Sequence, residues 1–166
     1  MNSVCRHKGP FRLNRIILVV LVLAALVAVR VHFRFAVVIG TSMLPRFQTG
    51  DFLLVDQHAY RSSAPQRGDV VLARYGKELI VKRVVAVPGE EVALRRGRLY
   101  INGAPFPEKH PIRPGALNIS PGRLFPGKFA LLGDNREAGM YEGVHAVISQ
   151  REILGRVVWS IGLHNL

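Results

Sequence analysis

The stretch Ile16–Val29, IILVVLVLAALVAV, runs for fourteen residues without a polar side-chain atom, and it constrains this chain more than any other segment. At 1.5 Å per residue it makes about 21 Å of helix, short of a hydrocarbon core of about 30 Å. Leu13 before it, and Val31, Phe33, Phe35 and Ala36 after it, lengthen the run. Arg15, Arg30 and Arg34 must then reach out to the headgroups. A span of about twenty residues near Leu13–Phe33 results. Three readings fit: a transmembrane signal anchor, a cleaved signal peptide with a weak site at Leu26-Val27-Ala28, and a buried helix of a soluble domain. Arg30 follows the weak site almost at once, which counts against cleavage. The anchor is the expectation.

The charge pattern supports it. The 166-residue chain has a net charge of +12. Residues 1–35 hold Arg6, Lys8, Arg12, Arg15, Arg30 and Arg34 and no acid, so they carry half of the excess. Cations beside an apolar run point to a membrane before they point to nucleic acid. The positive-inside rule puts the N-terminus in the cytoplasm. The expected organisation is a cytoplasmic basic tail and signal anchor in 1–35, with an extracytoplasmic β-rich domain in 36–166. A single cysteine, Cys5, excludes an internal disulfide and a cysteine zinc site. The six histidines include no H-x-x-x-H pair, so no metal or other cofactor is expected.

Beyond the anchor, short β-branched runs alternate with Gly and Pro: Asp51–Val55, Asp69–Tyr75, Glu78–Val87, Glu91–Ile101, Phe129–Leu132 and Glu152–Ile161. Arg96-Gly97 predicts a tight hairpin inside the fourth run. Residues 104–128 hold six prolines and predict a loop or excursion. Residues 143–152 predict a short turn of helix. The class is mainly β, a sandwich or barrel with one N-terminal helix.

Two places could carry chemistry. Gly40-Thr41-Ser42-Met43-Leu44-Pro45 begins where the apolar run ends, and Pro45 biases Leu44 away from helix. A serine held there lies near the membrane surface. The second is Lys82 in ELIVKRVVAV. Strand alternation puts Ile80, Lys82, Val84 and Ala86 on one apolar face and Arg83 on the other. Periodicity does not say which cation is buried. Chemistry says which is useful: a desolvated lysine can lose its proton and act as a base, whereas a guanidinium does not. There is no G-x-S-x-G elbow, H-E-x-x-H, P-loop or G-x-G-x-x-G. His58, His110 and His145 stand in no recognisable triad.

Together these pieces resemble the type I signal peptidase family of serine proteases over about Ile39–Val158. The resemblance rests on Gly40–Pro45, Gly50–Val55, Arg67–Val71, Val81–Glu90, Leu99–Gly103 and Leu132–Arg136, in that order behind an apolar anchor. It implies a signal-peptidase-like β catalytic domain. It implies Ser42 as nucleophile and Lys82 as general base, the backbone N–H of Ser42 as oxyanion donor, and Asp134, Asn135 and Arg136 as a supporting box. The implied substrates are exported precursors cut after small residues of A-x-A type, at a bacterial inner membrane. The implied partners are precursor and lipid, with no nucleic acid. The chain departs from the family pattern where some members add a hydroxyl two residues before the nucleophile, since Gly40 stands there. It departs again where the family shows Ser and then Asp-Ser-Arg, for Gly139 and Tyr141-Glu142-Gly143 stand there. A backbone carbonyl or another hydroxyl is then expected to orient Lys82, and Glu142 is a candidate partner for Arg136 or Arg83. Within the family a dedicated single-client peptidase is an alternative, of the pilin-processing or nickel superoxide dismutase maturation kind. Outside it, the alternative is a non-catalytic, membrane-anchored basic β-module.

Overall fold

A computed structural model describes residues 11–137 and 145–162. Helix α1, Phe11–His32, takes in the whole apolar run. Its 22 residues span about 33 Å, enough to cross a bilayer. Asn14–His32 is long and apolar enough for that, and none of it is buried against the rest of the chain. Among the described residues its leucines and valines meet no protein surface, as suits an apolar helix that anchors in a membrane. Arg30 and His32 occupy the last turn, where cations suit the carbonyl end of the helix dipole.

The apolar run does not continue as helix. From Phe33 the chain becomes strand β1, Phe33–Val37, which pairs antiparallel with β2, Phe52–Asp56. Strands β3 (Val70–Tyr75), β4 (Glu78–Ala86), β9 (Lys128–Leu132), β10 (His145–Ser149) and β11 (Ile153–Ile161) complete a seven-stranded sheet in the order β1-β2-β11-β3-β4-β9-β10. A second sheet, in the order β7-β6-β5-β8, holds β5 (Glu91–Arg95), β6 (Arg98–Ile101), β7 (Ala104–Pro105) and β8 (Ile119–Arg123). The β5–β6 hairpin turns at Arg96-Gly97, both at positive φ (49° and 71°), which two-residue hairpins of this hand require.

Three differences from the sequence reading have local causes. Residues 104–128 are not all loop, because β7 and β8 add edges to the small sheet; Pro121 is tolerated in β8 because that strand is an edge. Within 143–152, read as holding a short turn of helix, residues 145–149 form a strand. Ala146 and Ile148 are buried while Val147 between them is half-exposed, a period of two. Only Gln150–Glu152 makes a single 3₁₀ turn, with the Ser149 amide and hydroxyl both donating to the Glu152 carboxylate. Finally, Ala86 does not share a face with Lys82 and Val84. The register of β4 on β9 slips between Val84 and Ala86, and the extra residue turns Val85 and Ala86 together toward the second sheet.

That slip helps divide the core. Val85, Ala86, Ala130 and Leu132 pack against Val92, Leu94, Leu99 and Ile101 of the small sheet. One face of the large sheet buries Leu53, Val55, Val70 and Leu72 with Val38, Met43 and Phe47 from the loop after β1. Its other face buries Val71, Ala73, Val84, Phe129, Leu131, Ala146 and Ile148.

Candidate active site

The loop between β1 and β2 carries Ser42. Its ends are zipped by Val38 N–H to Asp51 O and Gly50 N–H to Val38 O, both 2.9 Å. Inside, the Gly40 amide donates to the Thr49 hydroxyl (3.1 Å), which donates back to the Gly40 carbonyl (3.0 Å). Gly40 sits at φ +99°, a conformation its lack of a side chain permits. Met43 and Phe47, each 2% exposed, plunge into the core on either side of Pro45. These two anchors fix the loop, and half-buried Ser42 rides on the first of them.

Lys82 projects from β4 beside Ile80 and Val84, opposite Val71 of β3, and is 4% exposed. Its Nζ donates to Ser42 Oγ. The two residues that sequence spacing left apart by forty positions thus meet. Arg83 is buried equally, also at 4%, on the opposite face. The question of which cation is buried has the answer that both are, because β4 is covered on both faces at this point.

Arg83 is paired. Its Nε donates to Asp134 Oδ1 at 2.8 Å, its Nη2 to Asp134 Oδ2 at 2.5 Å, and its Nη1 to the Gly68 carbonyl at 2.8 Å. Burial raises the pKa of the Asp134 carboxyl, but Arg83 and His110 outweigh burial and hold it below the ordinary carboxylate value. Asn135, next along, clamps the nucleophile loop. Its amide donates to the Ser42 carbonyl at 3.0 Å and its Nδ2 to the Thr41 carbonyl at 3.1 Å. A Cβ on Gly133 would lie 2.3 Å from that same Ser42 carbonyl, so only glycine allows this approach. Arg136, 1% exposed, donates to the carbonyls of Gly133 (2.7 Å) and Gly97 (3.1 Å) and to Glu108 (2.7 Å). All five residues singled out in the sequence therefore belong to one constellation, though the side chains of Asp134 and Arg136 bond to other residues around the box and not to Ser42. Gly139, Tyr141, Glu142 and Gly143 lie outside the described residues.

The sequence assigns no role in this constellation to three contributors. Glu108 and His110 come from the proline-rich excursion, where no periodicity marks them. Gly133 was read only as part of a box, and its steric role shows only with the Ser42 carbonyl against it. An open groove of about 840 Å3 leads to the Ser42–Lys82 pair. One wall is the side of β1 that pairs with no other strand among the described residues, with the following loop, Arg34 to Ser42; the other is Leu72, Tyr75 and Glu78–Lys82.

The family model described as "Signal peptidase, peptidase S26" matches residues 12–161. A signal peptidase I of Leptolyngbya laminosa is 31% identical over 127 residues, covering 70% of this chain and 63% of that one. A signal peptidase I of Bacillus caldolyticus is 30% identical over 137 residues, 73% of this chain and 75% of that one. A crystal structure of a signal peptidase I from Enterococcus faecalis V583 superposes with a TM-score of 0.41 at 23% identity, over 57% of this chain and 97% of the other. The chain spans 57–65% of the length of the cyanobacterial relatives it matches. With nearly all of its described part matched by one family model, the chain belongs to the signal peptidase family, peptidase S26.

Proposed function

We propose that the chain is a membrane-anchored serine endopeptidase that removes signal peptides from exported precursors after small residues, using Ser42 and Lys82. The single observation that carries this reading is the hydrogen bond from the buried Lys82 amine to the Ser42 hydroxyl. Burial disfavours the ammonium, so the neutral amine is accessible. It takes the Ser42 proton as Oγ attacks the scissile carbonyl, and returns it to the leaving amine. The acyl-enzyme remains. Lys82 then takes a proton from water as the hydroxide attacks the acyl carbonyl, and returns it to Ser42 Oγ as the acyl–Oγ bond breaks, so the signal peptide leaves as its carboxylic acid and both residues are restored. The Ser42 backbone N–H, held in place by the clamp on the Ser42 carbonyl, serves as oxyanion donor.

The precursor lies extended in the groove, pairing with the free edge of β1. Helix α1 keeps the site at the membrane surface, where tethering raises the effective concentration of membrane-bound precursors. Its cationic N-terminal flank favours an N-in orientation in a bacterial inner membrane, with 36–166 outside and its basic surface on anionic lipid. The test is cleavage of an A-x-A precursor in detergent micelles by wild type, Ser42→Ala and Lys82→Ala. Wild type should cut, and each variant should lose on the order of 10⁴-fold or more in kcat. Equal cutting by either variant would place the chemistry elsewhere.

A further inference from the structure

The excursion 104–118 does more than connect sheets. Phe106 N–H donates to Leu99 O (2.9 Å), and the Arg67 guanidinium lies 4.4 Å over the Phe106 ring. Further on, the Arg113 amide donates to Asp134 O (2.9 Å) and the Arg136 amide to Arg113 O (2.8 Å), so backbone and box run side by side. Between these attachments the excursion inserts two side chains. Glu108 accepts from Arg136 at 2.7 Å. His110 Nε2 lies 3.5 Å from Glu108 Oε1 and 3.4 Å from Asp134 Oδ1, at ion-pair distance from both. Arg83, Asp134, His110, Glu108 and Arg136 thus form one continuous ionic chain. Its members are nearly all buried, with side-chain exposures of 5%, 0%, 18%, 6% and 0%.

Asn135 sits between the two anchored residues. It is the residue that grips the Thr41 and Ser42 carbonyls. Neither Glu108 nor His110 has a contact to Ser42 or Lys82 among those described, so each acts through the box. We propose that Glu108 and His110 are positioning residues: they pin Asp134 and Arg136 on either side of Asn135, and so hold the Ser42 carbonyl in register with Lys82. This rests on the Ser42–Lys82 reading for its kinetic part. A nucleophile displaced by about 1 Å can lose about 10²-fold in rate, so a tether this far away is felt in turnover.

The groups facing His110 are Glu108 on its own segment, Asp134 from the box and Arg83 from β4. Arg136 stands behind Glu108, and Arg67 on the rim of the adjoining 210 Å3 cavity is held by Glu90. The two carboxylates raise the His110 pKa against the opposing effects of burial and Arg83. The bridging imidazolium is the form that binds both carboxylates, and it is lost as pH rises.

The experiment uses the full chain in micelles: wild type, His110→Ala, His110→Gln, Glu108→Gln, and Val92→Ala as a destabilised control in the small-sheet core. Cleavage of the A-x-A precursor should show kcat lowered about tenfold or more in the His110 and Glu108 variants with KM nearly unchanged, and lowered little in Val92→Ala. The wild-type kcat should fall on the alkaline side as His110 loses its proton, a step missing from His110→Gln. Hydrogen exchange, read without substrate, should show the Asn135 amide exchanging about tenfold faster in His110→Ala than in Val92→Ala. Unchanged exchange, or pH profiles of the same shape in wild type and His110→Gln, would overturn the tether. If wild type cuts nothing, the dyad reading falls, and exchange alone still decides whether the tether exists.

Discussion

The two faces of β4 carry adjacent cations, buried to the same 4%, and the chain treats them differently. Lys82 donates to the Ser42 hydroxyl; Arg83 meets a carboxylate through two hydrogen bonds. A guanidinium stays charged in any protein environment, so its burial demands a counter-charge. An amine can be neutralised instead, which is what the proposed role of Lys82 as base requires. On that proposal, equal burial serves a brace on one face and a reagent on the other. The contrast predicts that exchanging the two cation types harms one face chemically and disturbing the other harms it structurally.

The largest effect should come from Lys82→Arg. A cation remains beside Ser42, but no form of it accepts the serine proton. Cleavage of the precursor should fall by about four orders of magnitude or more. The unfolding midpoint should move far less than that loss suggests. Substantial activity in Lys82→Arg would break the distinction between the faces.

Arg83→Met should do the reverse, removing the guanidinium while leaving Asp134 fully buried. Breaking one partner of such a pair costs about 3–5 kcal/mol. Arg83→Met with Asp134→Asn should recover part of that loss in denaturant unfolding, because the uncompensated charge has gone. No recovery in the double variant would mean that the pair is not the brace.

How much of this was legible beforehand follows from the range of the forces involved. The helix, strands β2 to β6, β9 and β11, and the Arg96-Gly97 hairpin are set by neighbours in sequence, and local pattern reads them. Ser42 and Lys82 were legible as residues of the right kind, and the family resemblance paired them. What could not be read was anything created by a single residue of slip or by distant contact. The register shift at Val84–Ala86 moves Ala86 off the lysine face. The burial of Arg83 depends on Asp134, fifty-one positions away. Glu108 and His110 sit among prolines, where no pattern announces that two buried side chains belong to the box. The short turn of helix expected in 143–152 is the 3₁₀ turn Gln150–Glu152, but the five-residue edge strand before it carries too brief an alternation to stand out.

Between the faces lies the clamp on the Ser42 carbonyl, and Gly133→Ala tests whether the two faces communicate. The added methyl would lie 2.3 Å from backbone oxygen, which a side-chain rotation does not relieve. The loop or the box must shift. A displacement of about 1 Å should lower kcat about 10²-fold while leaving the Arg83–Asp134 pair intact. Turnover unchanged in Gly133→Ala would separate the two faces entirely.

The smallest effect is a pH dependence of stability that belongs to the Arg83 face. Asp134 and Glu108 have folded pKa values below their ordinary ones, burial being overcome by Arg83, His110 and Arg136. A depressed carboxyl contributes stability above its unfolded pKa, about 3.9 for Asp and 4.3 for Glu, and loses it only as pH falls through the folded value. His110, raised by the same carboxylates, adds stability that is complete below about 6.5 and lost as pH rises. Both contributions are therefore in place between about pH 4.5 and 6.5, so acidifying from pH 7 to 5 should leave the unfolding midpoint level or a few degrees higher. The same scan on His110→Gln should lose the gain below pH 7, because the raised imidazole has gone. A midpoint that falls between pH 7 and 5 in the wild type would show that these carboxylates and His110 do not brace the box in that window.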